Sequence, residues 1–145
     1  MMNEEHVFQE KARTYAVCFN DKCTLHAHCL RYKIAPYASA STQYLTCINP
    51  NYKEIADGKC DKFRNDEKVR MAQGMINFFD EMPSRTAFNI RNALIQKYSR
   101  KKFYAYRKGE QLIPPTIQQD IANTMQAYGW KQPPKFDKYV EDYCW

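Results

Sequence analysis

The spacing of apolar positions predicts successive amphipathic helices in the second half of the chain. The first covers about residues 66–81 and ends before Pro83, because proline cannot continue a helix. Its apolar positions are Ala72, Met75, Ile76 and Phe79. A second helix follows directly, with Ser84 as its expected N-cap. Its apolar stripe consists of Ala87, Ile90, Leu94 and Tyr98.

The third and fourth helices are bounded by recognisable capping residues. Ser99 is placed to cap the third, which runs to Lys108 and ends where Gly109 can adopt a left-handed conformation. Pro114 and Pro115 open the fourth helix, and Gly129 closes it. Its inward positions are Ile117, Ile121, Ala122, Met125 and Tyr128. Only one or two residues separate the second and third helices, which predicts a sharp crossing of the helix-turn-helix kind.

These elements divide the chain into three predicted segments. Residues 1–65 form a cysteine-bearing, turn-rich module, and residues 66–130 form a helical, helix-turn-helix-like body. Residues 131–145 form a tail whose aromatic side chains we expect to pack on that body. The predicted fold class is mainly α, with an N-terminal metal-stapled module and little strand. The order of elements over residues 84–129 resembles repressor-like helix-turn-helix domains.

Charge changes the picture because it is concentrated in one segment. The net charge of the 145-residue chain is +6, yet residues 82–109 contain eight basic side chains and no Asp or Glu. The rest of the chain holds 14 basic and 16 acidic residues, a net charge of −2. A positive surplus confined to 28 consecutive residues indicates a polyanion-binding surface.

The third helix carries the candidate nucleic-acid contacts. If Phe103 and Tyr106 anchor it to the core, helical geometry places polar and basic groups on its outer side and flanks. These candidates are Arg100, Lys101, Lys102, Tyr104, Arg107 and Lys108. Outward groups can contact base edges while flanking cations neutralise phosphates. We therefore expect a nucleic-acid-binding regulator or accessory protein, with duplex DNA as its partner.

Other functions for the same surface remain open at this level. RNA is an alternative if Phe103 or Tyr104 is exposed, because an aromatic ring can stack on an unpaired base. The basic face can instead meet an acidic protein, which would make the chain an interaction adaptor, or it can simply be solvated. A homodimer would fit a repressor-like module, since such modules often contact two half-sites.

The cysteines of the N-terminal half form the second candidate site. Cys18, Cys23 and Cys29 lie on one segment, CFNDKCTLHAHCLR, and Cys60 follows a turn in DGKCDKF. Three ligands on one loop and a fourth from a distant turn are typical of small metal modules. Zinc prefers four nitrogen or sulfur ligands in structural sites, so zinc is the expected cofactor, with an iron–sulfur cluster as the alternative.

The remaining cysteines and the histidines leave alternatives open. Cys47 lies in an apolar stretch (YLTCI) that suggests a core strand, and Cys144 near the end has no expected role. His26 and His28 can replace a cysteine as ligand, support the ligands or have no role. The less favoured alternative is that all six thiols are ordinary buried or surface cysteines that bind no metal, since free Cys is often buried.

Several peptides together resemble an uncharacterised family of small Bacteroidetes proteins, a domain of unknown function. They are CFNDKC, HCLR, INP, GKCDKF, VRMAQGM, KKFYAYRKGE, YGW and EDYCW, spread over residues 16–145. The resemblance implies that Cys18, Cys23, Cys29 and Cys60 form one group. It implies no activity.

Sequence features of an enzyme or a membrane protein are not found. The chain has four glycines and no glycine-rich phosphate loop, and its acidic residues are scattered or lie at predicted helix starts. No catalytic residue is predicted, and His6 falls in a terminus expected to be frayed. The charged N-terminus lacks the apolar core of a signal peptide, and no apolar run is long enough to span a membrane. We therefore expect a cytoplasmic protein with reduced thiols.

Overall fold

The computed structural model describes residues 3–56 and 60–145, and these form two compact units. One unit contains the described residues up to Glu67 together with Tyr143–Trp145, and the other contains Lys68–Asp142. The described chain is mainly helical, with one two-stranded sheet, which confirms the predicted fold class at that level. None of its helices has the length and apolar character needed to cross a membrane.

The first unit is built from short helices around a small aromatic core. Helices α1, α2 and α3 span Glu4–Thr14, Leu30–Ile34 and Lys53–Ala56. Single 3₁₀ turns cover His26–His28 and Ala35–Tyr37. The buried core consists of Phe8, Ala12, Val17, Leu30, Ile34, Ala35 and Tyr143. The expectation of a frayed N-terminus is wrong, because Asn3 caps α1 by accepting the Glu5 N–H at 3.3 Å and Phe8 packs into the core.

The second unit contains three helices and the two-stranded sheet, with the first helix packed on the other two and the last helix packed on the first strand. Strand β1 spans Lys68–Gln73 and β2 spans Lys138–Tyr143. Helices α4, α5 and α6 span Ser84–Tyr98, Arg100–Lys108 and Pro115–Ala127. The core is formed by Ala72, Met75, Phe78, Phe79, Met82, Ala87, Ile90, Leu94, Phe103, Tyr106, Ile113, Ile121 and Met125.

The helix predicted over residues 66–81 is wrong. The chain forms β1 there, and hydrogen-bonded turns then lead from Met75 to Met82. Gly74, at φ +86°, leaves the strand in a conformation that no helix contains. Ala72 and Phe79 are buried, as the spacing predicted. They do not share one helical face, however, because Ala72 lies on β1 and Phe79 lies in the turns that follow it.

The predicted boundaries of the later helices are largely confirmed. Ser99 alone separates α4 from α5 and caps α5 by accepting the Lys102 N–H, and Gly109 ends α5 at φ +78°. Two details differ. Ser84 is the first residue of α4 and makes no side-chain cap. Tyr128 is 47% exposed, because it lies beyond the last turn of α6.

The C-terminal segment is ordered by pairing and by aromatic packing. Phe136 packs on the core of the second unit, and β2 pairs with β1. The Tyr139 ring lies 3.7 Å from the Arg70 guanidinium carbon. Trp145 packs on the first unit's core beside Phe8, so the tail supplies side chains to each unit.

Candidate metal centre and candidate nucleic-acid interface

The four cysteines that the sequence grouped line one cavity in the first unit. Cys18, Cys23, Cys29 and Cys60 surround a space of about 30 Å³. The other lining residues are Asn20, His26, Arg31, Tyr32, Ile48, Ile55, Lys62 and Phe63. All six cysteines of the chain are free thiols. We call this space, defined by its four cysteines, the cysteine cavity.

Backbone hydrogen bonds hold the cysteine-bearing segments together. The Cys18 N–H donates to the Arg31 carbonyl at 3.0 Å, which ties the first cysteine to α2. The Leu30 N–H donates to the Arg64 carbonyl at 2.7 Å, and Cys29 forms a bridge with Asn65. The segment after Cys60 is thereby held against the start of α2. Sequence-distant cysteines meet because both flanking segments bond to the same short helix.

Two of the sulfurs also accept backbone N–H groups. The Asn20 N–H lies 3.5 Å from Cys18 Sγ, and the Leu25 N–H lies 3.4 Å from Cys23 Sγ. Each donor comes two residues after its cysteine, so a tight local turn directs it at the sulfur. Hydrogen bonds of this kind favour the thiolate over the thiol.

The electrostatics of Cys18 reflect how close the four thiols are. Burial raises the pKa of the Cys18 thiol, the Asn20 N–H lowers it, and the charges of Cys29, Cys23 and Cys60 raise it. The three neighbouring cysteines thus oppose the ionisation of Cys18. A divalent cation reverses this balance, because a coordinating thiol loses its proton.

The four cysteine sulfurs of the cavity are suitable metal ligands, but their side chains are not arranged in a coordination geometry. Within residues 3–56 and 60–145, no group of three or more Cys, His, Asp or Glu side chains is arranged to hold a metal. Zinc–sulfur bonds are about 2.3 Å long. The sulfurs would therefore have to move inward around an ion.

The histidines and the other cysteines occupy different positions. His26 lines the cysteine cavity, but its Nδ1 lies 2.6 Å from the Cys23 carbonyl oxygen. The side chain of His28 is 78% exposed and faces Asp66 at 3.7 Å, so it lies outside the cavity. Cys47 is exposed and forms only an isolated bridge with Val17, so the expectation of a core strand there is wrong.

Arg31 is the cavity residue that the sequence analysis missed. Its side chain is 8% exposed, donates from Nε to the Lys62 carbonyl at 2.7 Å and from Nη1 to the Ala16 carbonyl at 2.8 Å. Its guanidinium carbon lies 4.1 Å from the centre of the Tyr15 ring. The sequence did contain a signal for this burial. Arg31 lies between the apolar residues Leu30 and Ile34, and helical spacing places it next to their buried face.

In the second unit, α5 presents the predicted basic residues on its outer side. Phe103 and Tyr106 are buried, as expected for its anchors. Arg100, Lys101, Lys102 and Lys108 are exposed, and Arg107 is half-buried. We call these five basic residues the cationic face. Within the described part of the chain, none of the five forms a salt bridge.

Neither aromatic candidate for base stacking is free on α5. Phe103 is 1% exposed, so it cannot stack on a base. The expectation that its ring is exposed, on which the RNA alternative partly depended, is wrong. Tyr104 is half-buried against the core, with its ring centre 5.2 Å from that of Phe103. The accessible groups of this helix are therefore cations.

The charge distribution follows the two units. The second unit, Lys68–Asp142, contains 13 basic and seven acidic residues, a net charge of +6. The remainder of the chain contains nine of each and is neutral. The whole net charge of the protein thus belongs to the unit that contains the cationic face.

Arg91, on the apolar side of α4, does not belong to that face. Its guanidinium carbon lies 5.2 Å from the centre of the Phe79 ring. Its Nε is buried with no hydrogen-bond partner among the described residues. Stacking on an aromatic ring accounts for a basic residue in this position.

These features define a mainly helical protein of two units, one with a cavity of four free cysteines and one that is strongly basic. The chain belongs to the Family of unknown function (DUF6078), whose model matches residues 1–145. No curated protein and no solved structure matches it. The family match carries no activity, so the function has to be argued from the residues themselves.

Proposed function

We propose that the protein binds nucleic acid, with duplex DNA as the partner, through the cationic face of α5, as a regulator or accessory protein. The observation that carries this proposal is the set of five basic side chains on one short helix without salt-bridge partners in the described chain. Unpaired surface cations gain most from releasing the counterions of a phosphate backbone. The confinement of the whole net charge to the unit that contains this helix supports a located binding surface.

The burial of the α5 aromatics supports a duplex over a single strand. Single-stranded nucleic acid is bound largely by stacking of bases on exposed aromatic rings. Phe103 and Tyr106 are core residues, and Tyr104 is packed against Phe103. The helix therefore offers charge and long flexible side chains, which suit the phosphates and groove edges of a duplex.

The junction before α5 supports a helix-turn-helix-like use of this helix. One residue, Ser99, joins α4 to α5, so the two helices cannot continue in line. In helix-turn-helix domains the second helix of such a pair enters the major groove. We assign that role to α5, with α4 and α6 as its support.

Charge reversal on the cationic face tests the proposal. The triple variant K101E/K102E/R107E should lose retention on a labelled duplex while its circular dichroism stays that of the wild type. The control variant K22E/K53E/K131E makes the same change in net charge at exposed lysines outside α5. It should keep most of the binding. Equal losses in both variants, or retained binding in the first, contradict the assignment to α5.

We also propose that a structural metal held by Cys18, Cys23, Cys29 and Cys60 stabilises the first unit. A cytoplasmic location agrees with this site, because thiols stay reduced in the cytoplasm. Support comes from their convergence on one cavity. The cysteine cavity has a volume of about 30 Å³, enough for one or two water molecules or for one metal ion. This favours a single zinc ion over an iron–sulfur cluster, which brings several iron and sulfide ions.

Metal content tests this second proposal. Elemental analysis of the purified protein should give one zinc per chain, and Cys29→Ser should reduce it well below one. Cys47→Ser, at an exposed thiol outside the cysteine cavity, should keep the full equivalent. A brown protein with visible absorbance and iron would replace zinc by the cluster, and neither metal near one equivalent would remove the site.

A further inference from the structure

The buried guanidinium of Arg31 has no carboxylate partner among the described residues. Its two side-chain hydrogen bonds within the described chain go to neutral carbonyl oxygens, of Ala16 and Lys62, and its ring contact is with Tyr15. A charge taken out of water without a counter-charge is costly, often several kcal/mol. An arginine that is 8% exposed, with two carbonyl oxygens and one aromatic ring as its partners in the described chain, is therefore incompletely compensated.

A metal held by the four thiols would supply the missing negative charge. Four thiolates carry four negative charges and a divalent ion two positive ones, so the complete centre has a net charge of −2. Arg31 lines the same cavity as the four sulfurs. Its positive charge is permanent, because arginine does not lose its proton in proteins. The positive charge of Arg31 would therefore offset part of the negative charge of the centre, and the centre would compensate the buried guanidinium.

Among the described residues of the cavity wall, Lys62 is the other residue with a basic aliphatic side chain, and it differs from Arg31 in burial. Its side chain is 51% exposed, and its ammonium lies 3.8 Å from a carboxylate oxygen of Asp61. Solvent screens such a charge, and its pair with Asp61 already offsets it. The third basic group on the wall, the His26 ring, is engaged at Nδ1 with the Cys23 carbonyl oxygen.

We infer that Arg31 is the counter-charge of the metal centre: its buried guanidinium offsets the negative charge of the tetrathiolate complex and so sets the affinity for a divalent ion. This inference rests on the proposed metal at the cysteine cavity. Arg31 is a positioning and charge-compensating residue, because it bonds to the segments that precede Cys18 and follow Cys60 without being a ligand. Residues that support metal ligands from outside typically contribute 10–100-fold to metal affinity.

The test separates the charge of Arg31 from its hydrogen bonds. Full-length wild-type protein and its Arg31→Lys, Arg31→Gln, Arg31→Met and Lys62→Gln variants are stripped with a chelator and titrated with Zn²⁺ against a chromophoric competitor. Co²⁺ loading of each variant then counts thiolate ligands by the intensity of the sulfur-to-cobalt charge-transfer band. Two neutral variants are included so that at least one folded neutral form is available.

Compensation by charge predicts an ordered result. Arg31→Gln and Arg31→Met should bind Zn²⁺ about 10–100-fold more weakly than wild type while keeping the four-thiolate cobalt spectrum. Arg31→Lys should recover most of that affinity, since it restores the charge but not the planar pair of hydrogen bonds. Lys62→Gln should lose less than about fivefold, as expected for an exposed, screened charge.

Two outcomes overturn the inference while leaving the metal centre intact. Equal weakening in Arg31→Lys and in the neutral variants would mean that Arg31 acts only through its hydrogen bonds. Wild-type affinity in a folded neutral variant would mean that its charge is irrelevant. Wild-type protein that binds neither Zn²⁺ nor Co²⁺ refutes the metal centre itself, and the role of Arg31 with it.

Discussion

Asp137 accepts a hydrogen bond from the Ile76 backbone N–H at 3.1 Å, and its carboxylate fills the space beside Gly74. The Asp137 N–H in turn donates to the Gly74 carbonyl at 2.9 Å. This pair of bonds fixes the exit of β1 against the segment that enters β2. A methyl group at Gly74 would overlap the Asp137 carboxylate, and the residue also has φ +86°.

Gly74→Ala is therefore expected to destabilise the protein by about 2–4 kcal/mol, from the left-handed backbone and the overlap together. Gly129→Ala provides the control, because Gly129 has φ +88° but no neighbour within 4 Å of the added methyl. It should lose only about 1–2 kcal/mol. Urea unfolding measures both, and equal losses would show that the Asp137 contact contributes nothing.

Ser99 combines a useful side chain with an unfavourable backbone. Its φ of 81° and ψ of 155° lie in a region that glycine alone adopts readily, at a cost of about 1–3 kcal/mol for other residues. Its hydroxyl meanwhile accepts the Lys102 N–H at 3.3 Å. Ser99→Gly removes the strain and loses a few tenths of a kcal/mol of capping, so it should stabilise the protein by about 1 kcal/mol.

Ser99→Ala gives the opposite expectation, since it keeps the strain and loses the cap, at a cost of about 1 kcal/mol. The two melting temperatures should fall on either side of the wild-type value. If both variants melt below wild type, the backbone at this junction is not strained.

Asp120 joins α4 to α6 by accepting hydrogen bonds from Tyr98 and, at 2.5 Å, from the Lys97 ammonium. Tyr98→Phe removes a hydrogen bond to a charged group and should cost about 1.5–3 kcal/mol in the free energy of unfolding. Tyr128→Phe is the matched control, because that side chain is 47% exposed. Its loss should stay within about 0.5 kcal/mol. A Tyr98→Phe protein as stable as the control would show that the Asp120 contact does not hold the helices.

Burial raises the pKa of the Tyr106 phenol above its usual 10.0. The folded state thus favours the neutral phenol, and this contribution is fully present below pH 10.0 and lost as the pH rises through the folded pKa. Tyr106→Phe cannot ionise, so its stability should fall less steeply with pH above that value. Tyr44→Phe, at a ring that is 88% exposed, controls for the removal of one phenol. Identical alkaline unfolding profiles for the two variants would contradict the role of Tyr106.

The sequence predicted best where local chemistry alone determines the structure. Ser99 and Gly109 bound α5 as expected because capping depends on residues within one turn. The anchors Phe103 and Tyr106 followed from helical spacing in a segment with no competing partner. The four cysteines could be grouped because their spacing suggested a loop that a distant turn completes.

The predictions from sequence failed where contacts between residues distant in the sequence determine the local structure. Residues 68–73 have an apolar spacing compatible with a helix, but pairing with β2 about 70 residues later makes them a strand. Cys47 lies in an apolar peptide and is nevertheless exposed. Arg31 escaped notice because its role depends on carbonyl oxygens 15 and 31 residues away. Such pairings leave no periodic signal.

The salt dependence of duplex binding tests the central claim most directly. If the five cations of the cationic face neutralise phosphates, the logarithm of the binding constant should fall linearly with the logarithm of salt concentration, with a slope of about −4 to −5. In the K101E/K102E/R107E variant any residual slope should be shallower by about three, one for each phosphate contact removed. Wild-type binding to duplex with a slope near zero, or no binding at low salt, would contradict the account.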